Sequence, residues 1–263
     1  MNSYTREPAV AGAFYPADST TLKNQLDHLL KETGTASEHC PRAIIAPHAG
    51  YIYSGPVAAP AYHTLIPFKD QIKRVVLMGP SHRVAIKGLA LTGADFFSTP
   101  LGTIPIDQAS NKMLANHHDI NFAEQAHLYE HSLEVHLPFL QTVLSDFVLV
   151  PIVVGDAMPE LVATALEELV IDDSTIAVIS TDLSHFHDYT TAQRLDGATS
   201  KAIVEMDYNA IGYENACGRN PLNGALFWAK MHHYKVKQLD LRNSGDTAGD
   251  KDRVVGYGSY LIS

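Results

Sequence analysis

The chain has 263 residues and a hydrophobic fraction of 46%, ordinary for a soluble globular protein, and no apolar run approaches the roughly 18 residues that span a bilayer. A formal net charge of -10, with no run of Lys and Arg, argues against nucleic acid as a partner, because phosphate backbones are met by clustered positive charge. Two cysteines are too few for a disulfide scaffold, and the opening Met1-Asn2-Ser3-Tyr4-Thr5-Arg6-Glu7 lacks the basic and apolar regions of a secretory signal, so a cytoplasmic protein away from the membrane is expected.

In chain order, residues 43–46 form the first strand-like run and end in Pro47-His48-Ala49-Gly50. Ser54-Gly55-Pro56 reads as a break, with helical spacing over 57–65. A second strand at 74–78 runs into Gly79-Pro80-Ser81-His82, and short strands at 88–92 and 103–106 surround a turn-rich stretch. After a helix near 108–116, Leu133, His136, Leu137 and Leu140 fall at helical spacing within 132–144, and 147–154 is a continuous apolar strand. An amphipathic helix at 158–170 opens with Pro159 and Glu160. The strand at 175–179 runs into Ser180-Thr181-Asp182-Leu183-Ser184-His185. Helices at 191–206 and 221–233 follow, then a strand at 236–241 before Asn243-Ser244-Gly245-Asp246, and a closing strand at 253–262. The alternation predicts an α/β fold, a mixed, mostly parallel central sheet with helices on both faces, in one domain over 1–263.

Ligands in such sheets gather at the carboxyl ends of strands, so the polar residues there are the candidates for chemistry. Neighbouring strands lie about 4.8 Å apart, close enough for His48 and His82 to share one cation at about 2.1 Å each. At a third strand end Asp182 is placed to fix a histidine tautomer, while His185 is suited to proton exchange near neutral pH. In Glu130-His131-Ser132-Leu133-Glu134 the polar residues are candidates too, although His131 or Ser132 at a helix start can serve as a simple cap and Glu134 can face water. Asp246 and Asp250, in a Gly/Asx loop, can complete a His/His/carboxylate set of the kind used by non-haem iron or, with an open position, by catalytic zinc. Arg219, just before Asn220-Pro221, is expected near the pocket as an anchor for an anionic cofactor or substrate group, and Cys217 is expected to be a buried structural thiol.

The blocks Ala46-Pro47-His48-Ala49-Gly50-Tyr51, Gly79-Pro80-Ser81-His82, Glu130-His131-Ser132-Leu133-Glu134-Val135-His136, Ser184-His185-Phe186, Ala216-Cys217-Gly218-Arg219 and Ser244-Gly245-Asp246 resemble the Memo family, known in prokaryotes as AmmeMemoRadiSam system protein B. They occur in the family order and cover nearly the whole chain. The resemblance implies a fold like that of class III extradiol dioxygenases, with a mononuclear non-haem iron at the strand ends. It places His48 and His82 as metal ligands, and His185 with Asp182 as the acid/base histidine and its neighbouring acid. Animal members carry a cysteine as third ligand in the loop before the last strand; this chain has none there, and Asp246 is its nearest competent substitute. A hard carboxylate in that place favours iron(II) or another divalent ion over the copper(I) that a thiolate would welcome; a divalent metal is expected, iron(II) first, with zinc or copper as alternatives.

Three functions follow as expectations: an iron-dependent, dioxygenase-like oxidoreductase with His185 moving the proton; a zinc-type hydrolase with Asp182 or Glu134 as base, and His131 beside it; and a non-catalytic module that recognises a small molecule or peptide. The family name also implies a shared pathway with AMMECR-type and radical-SAM proteins.

Overall fold

A computed structural model describes residues 3–31, 33, 37 and 39–263; Met1 and Asn2 of the opening segment lie outside the described residues. Its strands are β1 (Thr5–Arg6), β2 (Ala43–Ala46), β3 (Arg74–Pro80), β4 (Leu89–Leu91), β5 (Phe96–Thr99), β6 (Gly102–Pro105), β7 (Ile120–Phe122), β8 (Val148–Val154), β9 (Thr175–Ser180), β10 (His185–His187), β11 (Val236–Asn243) and β12 (Val254–Ile262). Its helices are α1 (Ser19–Lys31), α2 (Tyr51–His63), α3 (Gln108–Leu114), α4 (Glu124–Leu128), α5 (His131–Glu134), α6 (Leu137–Val143), α7 (Pro159–Leu169), α8 (Tyr189–Val204) and α9 (Arg219–Met231).

The large sheet runs β10-β12-β2-β9-β3-β8-β4-β7, with β11 also paired to β12. It is parallel through its middle, β2-β9-β3-β8, and again at β4-β7; antiparallel pairs at β8-β4, β2-β12, β12-β11 and β12-β10 make up the flanks. The expected mixed α/β architecture is therefore observed, with the parallel share concentrated in the strands that carry the site. A separate small sheet joins β1, β5 and β6.

Alternation sorts the apolar side chains to two cores. Ile44, Leu77, Leu149 and Val178 face one cluster with Leu22 and Leu26 of α1, Tyr62 of α2 and Leu140 of α6. Ile45, Met78, Ile152 and Ile179 face the other with Leu166 of α7 and Leu222 and Trp228 of α9. Each fully buried Leu or Ile adds roughly 1.5–3 kcal/mol of transfer free energy, so register is strongly specified: a slip by one residue exchanges the two faces. The register sets Ala46 beside Ser180 and Met78 beside Ile179, which brings the loops holding His48, His82 and Asp182 out at one edge.

Two local expectations fail. Ser54-Gly55-Pro56 does not break the chain; α2 runs through it and through Pro60. Tyr51 N–H anchors the helix start on the Phe14 carbonyl, and the helix is buried over most of its length, so packing outweighs propensity. The helix expected over 132–144 is two helices, α5 and α6, because Pro138 sits in the first turn of α6, where its missing N–H costs nothing. Among the described residues no helix is long and apolar enough to cross a membrane.

Candidate metal centre

Three imidazoles meet at the carboxyl edge of the parallel strands. His48 leaves β2 behind Pro47, His82 follows β3 by two residues, and His131 opens α5, which packs on β3. Ring centroids lie 5.2 Å apart for His48 and His82, 5.5 Å for His48 and His131, and 4.6 Å for His82 and His131. One ligand nitrogen from each falls within 4.8 Å of the others, a spacing from which three rings can close on one ion with bonds of about 2.0–2.1 Å. His48 is 2% exposed, whereas the His82 side chain is 28% exposed, so the cluster opens to solvent on the His82 side.

Burial keeps two of the three rings, His48 and His131, neutral. Burial, reinforced by the neighbouring histidines, holds His48 well below its ordinary range, and burial brings His131 down to about 4. Neutral imidazole is the form that binds metal. His48 Nδ1 lies 2.6 Å from Ser180 Oγ, and His82 Nδ1 lies 2.9 Å from Glu130 Oε1. Burial raises the Glu130 carboxyl, but bonds from the His82 ring, the His82 N–H and the Ser132 N–H outweigh it and hold the group at about 2. His131 Nδ1 is buried without a hydrogen-bond partner: it stands 3.3 Å from Glu130 Oε1, out of line for a bond. An orphaned ring nitrogen beside two partnered rings is a donor set that fits a cation.

Asp182 lies beside this cluster. Its Oδ1 accepts the His48 N–H at 2.8 Å and its Oδ2 stands 3.9 Å from His48 Nε2; burial pushes its carboxyl up to about 6. His185 donates from Nδ1 to the Leu183 carbonyl at 2.8 Å, which leaves Nε2 free of that bond. Cys217 was expected to be structural. Its Sγ instead lies 3.4 Å from His48 Nε2, and burial pushes the thiol up to about 12.

Four expected participants stand elsewhere. Asp246 is not among the clustered ligands, because both of its oxygens are engaged in the turn: Oδ1 accepts from Tyr189 Oη at 2.5 Å, and Oδ2 accepts the Asn243 N–H at 3.0 Å in a capping box. Asp250 likewise accepts the Asp252 and Arg253 N–H groups. Glu134 is fully buried and takes bonds from Arg6, the Ala9 and Val10 N–H groups and Tyr15 Oη, so it clamps the N-terminal segment and has no lone pair aimed at the cluster. Arg219 begins α9, with its guanidinium 3.7 Å over the Tyr213 ring, and lines a cavity of about 250 Å³ with Asp156 and Asn220. An adjoining cavity of about 240 Å³ shares Asp156 and Asn220 and reaches Ser81 and Cys217. Sequence reasoning missed Glu130 and Ser180 as partners of the ring nitrogens and took His131 for a cap or an acid/base residue. The only local signal for Glu130 is its place directly before His131.

An α/β sheet that gathers three histidines at the carboxyl edge of its parallel strands defines a protein with the makings of a metal centre. A family model described as Memo-like protein matches residues 6–261. MEMO1 family proteins are similar over nearly their whole lengths: one from Aquifex aeolicus is 38% identical over 264 residues, covering 96% of this chain and 97% of its own, and one from Metallosphaera sedula is 32% identical over 274 residues with the same coverage. A third, from Saccharolobus solfataricus, is 34% identical over 277 residues, again covering 96% of this chain and 97% of its own. The chain belongs to the Memo family.

Proposed function

We propose that the protein is a mononuclear, metal-dependent oxidoreductase of the dioxygenase-like kind, with His48, His82 and His131 as the residues that hold iron(II). The convergence of three imidazoles at the carboxyl edge of the sheet carries this reading. Iron(II), when bound, supplies one-electron chemistry toward dioxygen. The chain's own residues supply the proton handling. His185, with its proton committed to the Leu183 carbonyl, has Nε2 ready to take a proton from a substrate hydroxyl, and Asp182, raised by burial to about 6, exchanges protons close to neutral pH. Burial of His48 keeps water from one side of the site, while the exposed edge of His82 leaves the entry for a small molecule or peptide.

The donor set also supports a second reading. Iron oxygenases of the facial-triad type use two histidines and a carboxylate, whereas three histidines are a set used by catalytic zinc. With Asp246 turned into its own loop, the zinc-type hydrolase remains in play, and Asp182 is then its base, since Glu134 has no free oxygen. Metal analysis of protein purified anaerobically separates the two. One equivalent of iron is the expected result; one of zinc selects the hydrolase, and protein that neither carries nor takes up a divalent ion refutes both.

A further inference from the structure

Ser132 is fully buried and directs its three polar groups to three supports of the histidine cluster. Its N–H donates to Glu130 Oε1 at 2.9 Å, the oxygen that also meets His82 Nδ1. Its carbonyl accepts the Ser180 hydroxyl at 2.6 Å, and its own hydroxyl donates to the Pro80 carbonyl at 2.7 Å, two residues before His82. His131 precedes it in the chain. The three imidazoles come from separate segments, yet their supports meet at this one residue.

The directions of these bonds fix where the ring protons lie. A carbonyl only accepts, so the single proton of Ser180 Oγ is committed to Ser132. Ser180 Oγ must then accept from His48 Nδ1, which leaves His48 Nε2 bare. The Glu130 carboxylate likewise accepts from His82 Nδ1, so a His82 proton is held there and Nε2 is the nitrogen turned to the cluster. Gly79 shows how closely this part is fitted: a Cβ added there would lie 2.7 Å from Ser132 Oγ and 3.1 Å from Ser132 Cβ, so any larger residue pushes α5 off β3.

We propose that Ser132 is the positioning residue of the metal centre: through Ser180, Glu130 and Pro80 it sets the orientation and tautomer of His48 and His82 and ties both to His131. This rests on the reading of the three histidines as ligands. Outer partners of this kind are worth about 10–100-fold in metal affinity.

The test uses the full chain and cobalt(II) as the probe. Long-range nitrogen–proton NMR of the metal-free protein is expected to show His48 and His82 as Nδ1–H tautomers. Ser180→Ala should lose the fixed tautomer of His48, and Ser180→Thr, which keeps the hydroxyl, should restore it. In chelator competition, Ser180→Ala, which cuts the link from the Ser132 carbonyl to His48, and Ser132→Ala, which cuts the link to the Pro80 carbonyl and leaves the backbone bonds to Glu130 and Ser180 in place, should each weaken cobalt binding by about 10–100-fold. A Ser132→Ala protein with a lower urea midpoint but unchanged cobalt affinity would reduce Ser132 to a structural residue and overturn the proposal. So would an Nε2–H tautomer at His48 in the wild type. Wild-type protein that shows both tautomers but takes up no cobalt sinks the ligand reading and with it a positioning role toward metal, whereas the NMR result separately decides the hydrogen-bond network.

Discussion

Acidifying the metal-free protein tests whether its interior histidines are neutral, and His127 is the residue on which to measure it. His127 is buried, with Nε2 3.0 Å from the Ala90 carbonyl, and lies outside the three-histidine cluster. Burial lowers its pKa from 6.5 to about 4. The charged form is therefore disfavoured in the folded state, while the unfolded chain takes its proton as the pH passes 6.5. Between those two values the unfolded state binds more protons, so stability is intact above pH 6.5 and is lost as the pH falls toward 4. The gap of about 2.5 units corresponds to about 3.4 kcal/mol, and near pH 5 the slope from this one residue is about 1.2 kcal/mol per pH unit. His131, at about 4, and His136, at about 3, act in the same sense, whereas Asp182, raised to about 6, acts against them. The assay therefore compares urea midpoints of wild type and His127→Gln, which keeps an N–H for Ala90, from pH 7 to pH 4.5. The variant should show the shallower loss by about 1.2 kcal/mol per pH unit near pH 5. Parallel curves for the two proteins would mean that His127 is not held neutral by the fold, and the reasoning would fail.

His131→Ala should abolish stoichiometric metal uptake and His185→Ala should leave it intact; metal analysis giving the reverse pattern would exchange ligand and base. Asp246→Asn should retain a full equivalent of metal, and loss of metal there would return Asp246 to the ligand set. Arg6→Met strips the cationic partner from buried Glu134 and should cost about 3–5 kcal/mol in urea unfolding, a prediction refuted by a loss no larger than the roughly 1 kcal/mol of a surface pair. Cys217, with its thiol pushed up to about 12, should react slowly with iodoacetamide in the native protein near neutral pH and quickly in urea; rapid native alkylation would contradict its environment.

Much of the site was legible because it sits where local patterns are strongest. Apolar runs such as Ala43–Ala46 and Thr175–Ser180 announce buried strands, and the His and Asp residues just beyond them stand out against that background. What was not legible is whatever depends on α5. Nothing in Glu130-His131-Ser132 states that a single helical turn will lie across the end of β3, and only that packing turns a cap residue into a cluster member and its neighbouring glutamate into the partner of His82. The contact of Cys217 with His48 was not legible for the same reason: it joins residues 169 positions apart. Asp246 is a different case, since an Asx residue followed three positions later by an acid is a capping pattern that the sequence does contain.

The Glu134 clamp also bears on the order in which the molecule is made. Its partners, Arg6, Ala9, Val10 and Tyr15, leave the ribosome early and have no carboxylate to dock on until the chain has grown past residue 134. Closing so long a loop is slow compared with forming a helix, and contacts of this separation are late events in folding. Glu134 lies in the same short helix as His131, and the arm is what matches its buried charge there. Residues 6–15 thereby hold in place the helix that carries His131, in a site to which they contribute no ligand.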